Sequence, residues 1–541
     1  MVENNTEWLP HLSSEIVSHV HGSLLDAYAV SLEGWQRGLT LRWHIKDSEK
    51  FSVMETWFVD NPGQLFSLSS ADRTHYFFRT RGDKVSNQAV YIGKDKSKTK
   101  HILNKRGIPV PEGKYFSEIQ PNSDIHKYAF SIGFPVVVKS VDGSFGRGII
   151  TNIQDENELD YALIYVRDEL KYKNVILEQY IPGNEYRIYI VGNKVVGAIN
   201  RIPANIIGDG MSSIEILIKN KNKERMKNPR LKSCPININK ELETHIDKLN
   251  YDLKSVPKKG EKVFLNEKSN ISLGGDPVDT LEDLPVEIKD TAVSAIHAIP
   301  GLVHGAVDLI ISNHPAHNGA GVVLEVNPTA QIGSLLYPIK GKGRDIPSEI
   351  IDYYFPETKG KGKASNVYFN LSEVLSPLAN RTAAITEVNS VEPKELYVKK
   401  ITVFEGINNF ESQYFVKKEG LKNNLLGFTK KLESGATEVV IASHDKHSLD
   451  NFKKNMIEAN LFHLAKIKEE FVNDAVQLGF CLDGDKTQLI NELNKVKEGL
   501  IKTKKEKQIS QKQYQKMVSS RVWRMTKPLR NLTSLIRKFV P

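Results

Sequence analysis

The sequence predicts a mixed fold, α/β with α+β parts, spread over several domains. Three observations predict it. At 541 residues the chain is longer than one hydrophobic core organises. Between Lys96 and Pro356, short runs rich in β-branched residues alternate with longer helical stretches, the pattern of strands and helices layered on one core. A glycine- and lysine-rich stretch, KGKGK at 359–363, marks a boundary, after which a second compact alternation follows.

Taken in order, residues 1–92 mix short apolar runs with aromatics and read as a small α/β region. The central region, 93–358, carries strand-like runs at Phe134–Val138, Asn174–Leu177, Arg187–Val191, Lys194–Ala198 and Gly321–Val326. Residues 395–465 read as strand, helix, strand, strand, helix. From 484 to 518 the chain is charged, with Leu489, Leu493, Val496 and Leu500 forming a short coiled-coil-like seam. The last segment, 519–541, places Val522, Met525, Leu529, Leu532, Ile536 and Phe539 at helical spacing among arginines and lysines. That is a basic amphipathic helix suited to an anionic membrane surface or a partner helix. No repeat of fixed period is present.

Composition narrows the class. Charged residues make up 26% and apolar residues 40%, as in a soluble globular protein. No apolar run approaches the ~20 residues a bilayer span needs, and the start MVENNTEWLPHL lacks the pattern of a signal peptide. Cys234 and Cys481 stand far apart, which suggests neither a disulfide framework nor a zinc site. A cytoplasmic protein is expected, peripheral at the inner membrane face if the tail binds lipid. Residues 491–541 hold fourteen Lys/Arg against three Asp/Glu, so the net charge of +9 belongs to the tail. Sequence reveals no basic face in the body, and the tail has no stacking aromatics beyond Trp523. Nucleic acid is therefore not expected as a partner.

The chemistry centres on VVVKSVDGSFGRGI, residues 136–149. It is not GxxxxGK[ST], because the lysine precedes the glycines, nor is it GxGxxG. Glycines at 143, 146 and 148 would let backbone N–H groups approach an anion closely, and Lys139 would add a point charge at the strand end. Alone, the loop reads sooner as a glycine-rich hairpin turn than as a phosphate cradle. Its neighbours are GKDKSKTKHILNKRGIPVPEG (93–113), VILEQYIPGNEYRIYIVGNKVVGAINRIPANIIGDG (175–210), HGAVDLII (304–311) and VVLEVNPTAQIG (322–333). In this order, from about residue 93 to 356, these segments resemble the ATP-grasp superfamily.

That resemblance implies an ATP-grasp fold binding ATP with Mg2+ (or Mn2+). It implies that Lys96 and Lys139 bind phosphate. Gly143, Ser144, Phe145, Gly146 and Gly148 would belong to the hairpin that closes over it. Glu178, Gln179, Tyr180 and Ile181 would form the hinge against adenine, largely through backbone groups, and Glu185 would meet the ribose. Asp308, Glu325 and Asn327 would hold the metal. Alternation along a strand would turn the Glu325 and Asn327 oxygens to one side, which suits a hard cation. Segments 201–218 and 260–285 resemble those of cyanophycin synthetase and of the ATP-grasp half of bifunctional glutathione synthetases. This implies amide formation through an acyl phosphate, on an amino acid, a peptide or a cell-surface precursor. Arg187 and Arg201 match arginines near the reacting centre. Arg201 is expected to steady the transferring charge, because Ala306 stands where D-alanine ligases place an arginine. Ser272, Gly274 and Gly275 would lie near substrate, whereas Asn266 departs from an expected arginine and leaves the acid substrate open. No Mur-ligase-like half follows, which argues against cyanophycin synthesis.

Residues 395–465 resemble acylphosphatase, a ferredoxin-like domain, with Gln413 in place of the catalytic arginine and Lys431 in place of the catalytic asparagine. Without these groups hydrolysis should fail, which leaves a binding or packing module. A nucleotide-binding scaffold in cell-surface polymer synthesis is the alternative, and homo-oligomerisation stays open.

Overall fold

Helix Ser23–Gln36 is rich in apolar residues and is buried from Leu25 to its end, Asp26 and Glu33 included. It packs on strand Leu65–Ser69 and on helix Ile346–Tyr354. The sheet beneath it is antiparallel and five-stranded, in the order Ile385–Val388, Thr40–His44, Leu65–Ser69, Thr74–Phe78, Arg81–Gly82. The computed structural model describes residues 6–141, 148–312, 321–405, 407, 410–461, 466–482 and 503. The chain divides into two compact units, Met1–Leu396 and Tyr397–Pro541.

In the first unit two further antiparallel sheets follow. The four-stranded sheet runs Gly113–Phe116, Val175–Gln179, Val136–Ser140, Ile149–Ile153. One face packs Phe116, Val136, Val138, Val175 and Leu177 on helices Asn122–Ile132 and Glu156–Leu163. The central sheet runs Asp276–Asp279, Lys194–Ile202, Asn184–Val191, His304–Ile311, Gly321–Asn327. Its core face meets helix Val286–Ala298 through Ile188, Ile190, Ala198, Val307, Leu309, Val323 and Val326. Residues 203–275, inserted between two strands of this sheet, build a small core of their own from Ile206, Ile214, Ile218, Leu242, Ile246 and Val263.

Several boundaries differ from the sequence reading. The ladder begins at Val136 rather than Phe134, since Pro135 has no N–H to give, and it continues to Ser140. The predicted strand Lys194–Ala198 runs on to Ile202, through Asn200 and Arg201. The KGKGK stretch does not end the first unit. The chain returns through helix Leu371–Ala379 to add Ile385–Val388 to the N-terminal sheet, and the unit closes at Leu396.

The second unit runs strand Tyr397–Val403, helix Phe410–Lys422, strands Leu426–Lys431 and Thr437–Ser443, helix Lys446–Glu458, and strand Ile467–Val472. With Phe480–Leu482 added in parallel at one edge, the sheet order is Ile467–Val472, Tyr397–Val403, Thr437–Ser443, Leu426–Lys431, Phe480–Leu482. This βαββαβ succession is the split arrangement of ferredoxin-like units. The sequence reading stopped at 465 and missed the fourth strand, an edge strand that is largely exposed and lacks an apolar pattern. Gln413 is buried in the first helix, and Lys431 is exposed at a strand end. The expected coiled-coil seam (484–518) and basic tail (519–541) lie outside the described residues, apart from residue 503. Among the described residues no helix is long and apolar enough to cross a membrane.

Candidate functional site

In the central sheet, strand alternation decides which side chains leave the core. Ile188 and Ile190 point into it, so Glu185 and Arg187 take the other face. Val307 and Leu309 do the same on His304–Ile311, which leaves Ala306 and Asp308 opposite. The last strand needs an extra device. Asp308 pairs with Glu325 but Leu309 pairs with Val323, so Leu324 is inserted as a bulge. The bulge lets Val323 and Val326, three residues apart, both reach the core. Glu325 and Asn327 are thereby turned to the side of Asp308.

Six predicted residues meet there. Arg187 donates from Nε to Asp308 Oδ1 and from Nη2 to Asp308 Oδ2, both at 2.8 Å. Arg201 Nη1 donates to Asp308 Oδ2 at 2.9 Å and to Glu185 Oε1 at 2.7 Å. Asn327 Nδ2 donates to Glu325 Oε1 at 2.9 Å. Burial alone would raise the Asp308 carboxyl, but the two guanidinium groups hold it well below the usual range. The Glu325 carboxyl is raised, first by burial and then by the Asp308 charge. Glu185 is raised by burial too, partly offset by Arg201. Two guanidinium groups thus face three carboxylates, leaving an excess negative charge. The donor set available to a metal is all oxygen, from Asp308, Glu325 and Asn327, and fits a hard divalent cation.

The four-stranded sheet supplies a second group on its coreless face. Lys139 Nζ donates to Glu178 Oε2 at 2.8 Å, and Lys100 Nζ lies 3.0 Å from Glu178 Oε1. Lys96 Nζ donates to the Ser140 carbonyl at 3.3 Å. Glu178 is 2% exposed. Burial would raise its carboxyl, yet the two lysines hold it below the ordinary value. Burial in turn lowers Lys100, with Glu178 acting against it. Two ammonium groups thus meet one carboxylate, and Lys96 stands nearby on the carbonyl of Ser140, the residue after Lys139. Lys96 and Lys100 lie one turn apart on helix Lys96–Lys105, capped by Asp95, while Thr99 and Leu103 bury its other side. The sequence reading missed Lys100, although the spacing KSKTK signals it. Glu178, placed in the adenine hinge, has its side chain committed to these lysines. The hinge amides of Gln179 and Tyr180 are also engaged, by the carbonyls of Glu112 (2.8 Å) and Pro135 (3.0 Å). Ile181 is buried beside them.

Of the glycine loop, Gly143, Ser144, Phe145 and Gly146 lie outside the described residues. Gly148 has φ 70°, and a Cβ there would stand 2.6 Å from Ser140 Oγ. Strands Val136–Ser140 and Ile149–Ile153 pair antiparallel on either side, so the loop does join a hairpin. Asn266, Ser272 and Gly274 all sit on the 203–275 insertion, and Gly275 closes it. A third acidic cluster, His11, Glu33 and Asp345, is already met by cations: Arg37 reaches Glu33 at 2.7 Å and Lys363 reaches it at 2.8 Å.

Residues 93–215 match the family model described as RimK-like ATP-grasp domain, so the chain carries an ATP-grasp domain. It is 31% identical over 301 residues to the glutathione biosynthesis bifunctional protein GshAB of Desulfotalea psychrophila, covering 54% of this chain and 38% of that protein. It is 32% identical over 272 residues to cyanophycin synthetase of Synechocystis sp., covering 49% of this chain and 31% of that one. The chain therefore spans about two fifths or less of the length of these relatives. Among solved structures, a bifunctional glutathione synthetase from Pasteurella multocida is similar at 26% identity and TM-score 0.41, over 56% of this chain and 41% of that one.

Proposed function

We propose that this chain is an ATP- and Mg2+-dependent carboxylate–amine ligase. One substrate carboxylate attacks the γ-phosphorus of ATP, releasing ADP and forming an acyl phosphate. An amine then attacks the acyl carbon, and phosphate leaves with its electron pair while the amine loses a proton. The opposite charge excesses of the two side-chain groups carry this reading. The positive group, Lys96, Lys100 and Lys139, suits a polyphosphate. The negative group, Glu185, Asp308 and Glu325 against Arg187 and Arg201, suits a divalent cation.

Each residue then has a task. Lys139 and Lys96 hold phosphate oxygens and offset charge that grows during transfer. Arg201, bridging Glu185 and Asp308, is oriented to steady the reacting oxygens, and Arg187 fixes Asp308. Asp308, Glu325 and Asn327 would hold Mg2+ (or Mn2+), which when bound supplies charge neutralisation at the phosphates. Glycine backbone at 143–148 would cover the phosphates and exclude water from the acyl phosphate. An amino acid or peptide supplies the carboxylate or amine. In this reading residues 1–92 form a pre-grasp region and 93–358 the ATP-grasp domain. Residues 395–465 form a degenerate acylphosphatase-like module without hydrolytic activity.

The test is phosphate release by the full chain with Mg·ATP and pools of amino acids, followed by mass spectrometry of the product. ADP with an amide product is the expected result, lost in Lys139→Ala and Glu325→Ala variants of unchanged circular dichroism. AMP as product, or turnover surviving both substitutions, would overturn the reading.

A further inference from the structure

The sheet of the second unit ends on an open edge. Strand Ile467–Val472 pairs with Tyr397–Val403 on one side, and among the described residues no strand pairs with the other. The phase of this ladder is fixed where the Phe404 amide donates to the Lys466 carbonyl at 3.0 Å, which makes those two residues a hydrogen-bonded pair. Bonded and non-bonded pairs alternate along an antiparallel ladder. Lys468, Glu470 and Val472 therefore turn their backbone groups inward to Tyr397–Val403, whereas Ile467, Glu469 and Phe471 turn theirs outward. Such an edge is commonly blunted by proline, a bulge, short length or charge. This one is six residues long, without proline and in unbroken register, and Phe471 near its end is 57% exposed. It does carry charges, and their order is informative.

Ile467, Glu469 and Phe471 lie opposite Val403, Ile401 and Lys399, on the face that packs the helices. Lys468 and Glu470 lie opposite Thr402 and Lys400, on the other face. A second copy of the strand, running antiparallel alongside, must set outward groups against outward groups. That leaves registers centred on Lys468, Glu469 or Glu470. The first sets Lys468 against Lys468 and the last Glu470 against Glu470, like charges directly opposite. The register centred on Glu469 sets Lys468 against Glu470 twice and Ile467 against Phe471 twice. Lys468 and Glu470 are then a non-bonded pair, where side chains come closest. Glu469 meets its own copy, but its charge is already met by Lys453 at 2.7 Å, with Lys399 at 3.9 Å. The strand is self-complementary in that register alone.

We propose that strand Ile467–Val472 is a dimer interface whose partner is a second copy of this chain. The two strands pair antiparallel about a two-fold axis at Glu469, and two five-stranded sheets become one continuous sheet. Backbone bonds from the outward residues supply the attraction, and the Lys468–Glu470 and Ile467–Phe471 pairs fix the register. The contact is closed, because each edge is consumed by the other copy. It is independent of the ligase reading and gives the second unit a task that needs neither of the catalytic groups replaced at Gln413 and Lys431.

The test is sedimentation velocity of the full chain from about 1 to 100 μM, the range in which one short ladder would hold a dimer. The wild type should show a monomer–dimer equilibrium, and hydrogen exchange of the 467–472 amides should slow as concentration rises. Lys468→Glu and Glu470→Lys should each weaken association at least about 10-fold, since both opposed pairs become like-charged. Mixing these two variants should restore it, because an acidic strand then faces a basic one. The double reversal Lys468→Glu/Glu470→Lys should restore it within one protein. The two side chains are 69% and 48% exposed, so the variants should keep the wild-type circular dichroism. Leu493→Asp, in the apolar seam read from the sequence beyond this strand, should leave the dimer in place. A wild type that stays monomeric, association indifferent to both reversals, no recovery in the mixture, or a dimer abolished by Leu493→Asp would overturn the proposal.

Discussion

Glu178→Gln tests the lysine group most directly. The wild-type carboxylate is 2% exposed and meets Lys139 at 2.8 Å and Lys100 at 3.0 Å, each lysine side chain 13% exposed. Glutamine keeps the shape but has no charge, and its amide N–H groups would face an ammonium. Removing one partner of a buried pair typically destabilises by about 3–5 kcal/mol, and retained shape puts this case near 3. Urea unfolding of the variant, with Lys100→Met and the double variant, gives the coupling energy. Removing both ends avoids an orphan charge, so the double variant should recover about 1–3 kcal/mol relative to the sum of the singles. The pH profile has a fixed sign. The folded Glu178 carboxyl lies below its ordinary value, so its contribution is present above about pH 4.5 and is lost as pH falls through the folded value. Glu178→Gln should remove that part of the acid sensitivity. Additive single and double variants, or an unchanged acid limb, would refute the picture of a carboxylate clamped by two lysines.

Glu325→Gln should raise the Mg2+ requirement of ATP turnover at least about 10-fold without lowering stability, because it removes a buried carboxylate that faces Asp308; a destabilised variant with normal Mg2+ dependence contradicts this. Asp26 predicts the opposite pH sign from Glu178. Its folded value of about 6 exceeds its ordinary 3.8, so its contribution is full below about pH 4 and declines by about 3 kcal/mol as pH rises through 6. Subtracting an Asp26→Asn profile from wild type should isolate that slope, and parallel profiles would refute it. Gly183→Ala would put a Cβ 2.3 Å from the Ile311 carbonyl, at φ 153°, one residue before strand Asn184–Val191. Chemical denaturation should show a loss of about 1–3 kcal/mol, and unchanged stability would mean that the strand end yields freely.

The central sheet was legible where its strands alternate plainly, as at Gly321–Asn327 and Asn184–Val191. Spacing also placed Glu325 and Asn327 on one side. It did not show that the side is the right one. Regular alternation from Val323 would have pointed both residues into the core, and only the bulge at Leu324 prevents that. A bulge depends on the register of the partner strand, which a single chain does not encode locally. Lys194–Ile202 was read short because Asn200 and Arg201 look like a strand end, whereas both stay in the ladder and Arg201 takes the polar face. Lys100 was overlooked for the opposite reason: among Lys94, Lys96, Lys98 and Lys105, a buried lysine looks like a solvated one. Glu178 was read as a hinge residue by position, but its side chain is fixed by Lys139 on the neighbouring strand and by Lys100 on helix Lys96–Lys105. The return of 385–388 to the N-terminal sheet is a contact across more than three hundred residues, invisible to local pattern.

The placement of the lysines argues that binding rather than stability shaped the helix that carries them. Lys96, Lys98 and Lys100 occupy the first turns of Lys96–Lys105, where the positive end of the helix dipole disfavours cations and acidic residues would stabilise. Asp95 at the cap meets the Ser97 and Lys98 amides at 3.1 and 3.0 Å, and reaches Lys98 Nζ at 3.3 Å. It therefore serves the helix end and not the buried pair. Glu178 balances only one of the two lysines it touches. On the central sheet the imbalance has the other sign, with Glu185, Asp308 and Glu325 gathered although Glu325 gains no cationic partner of its own among the described ion pairs. In the proposed reaction, two arrangements of opposite sign held by the same unit would each be relieved by one half of a metal–triphosphate.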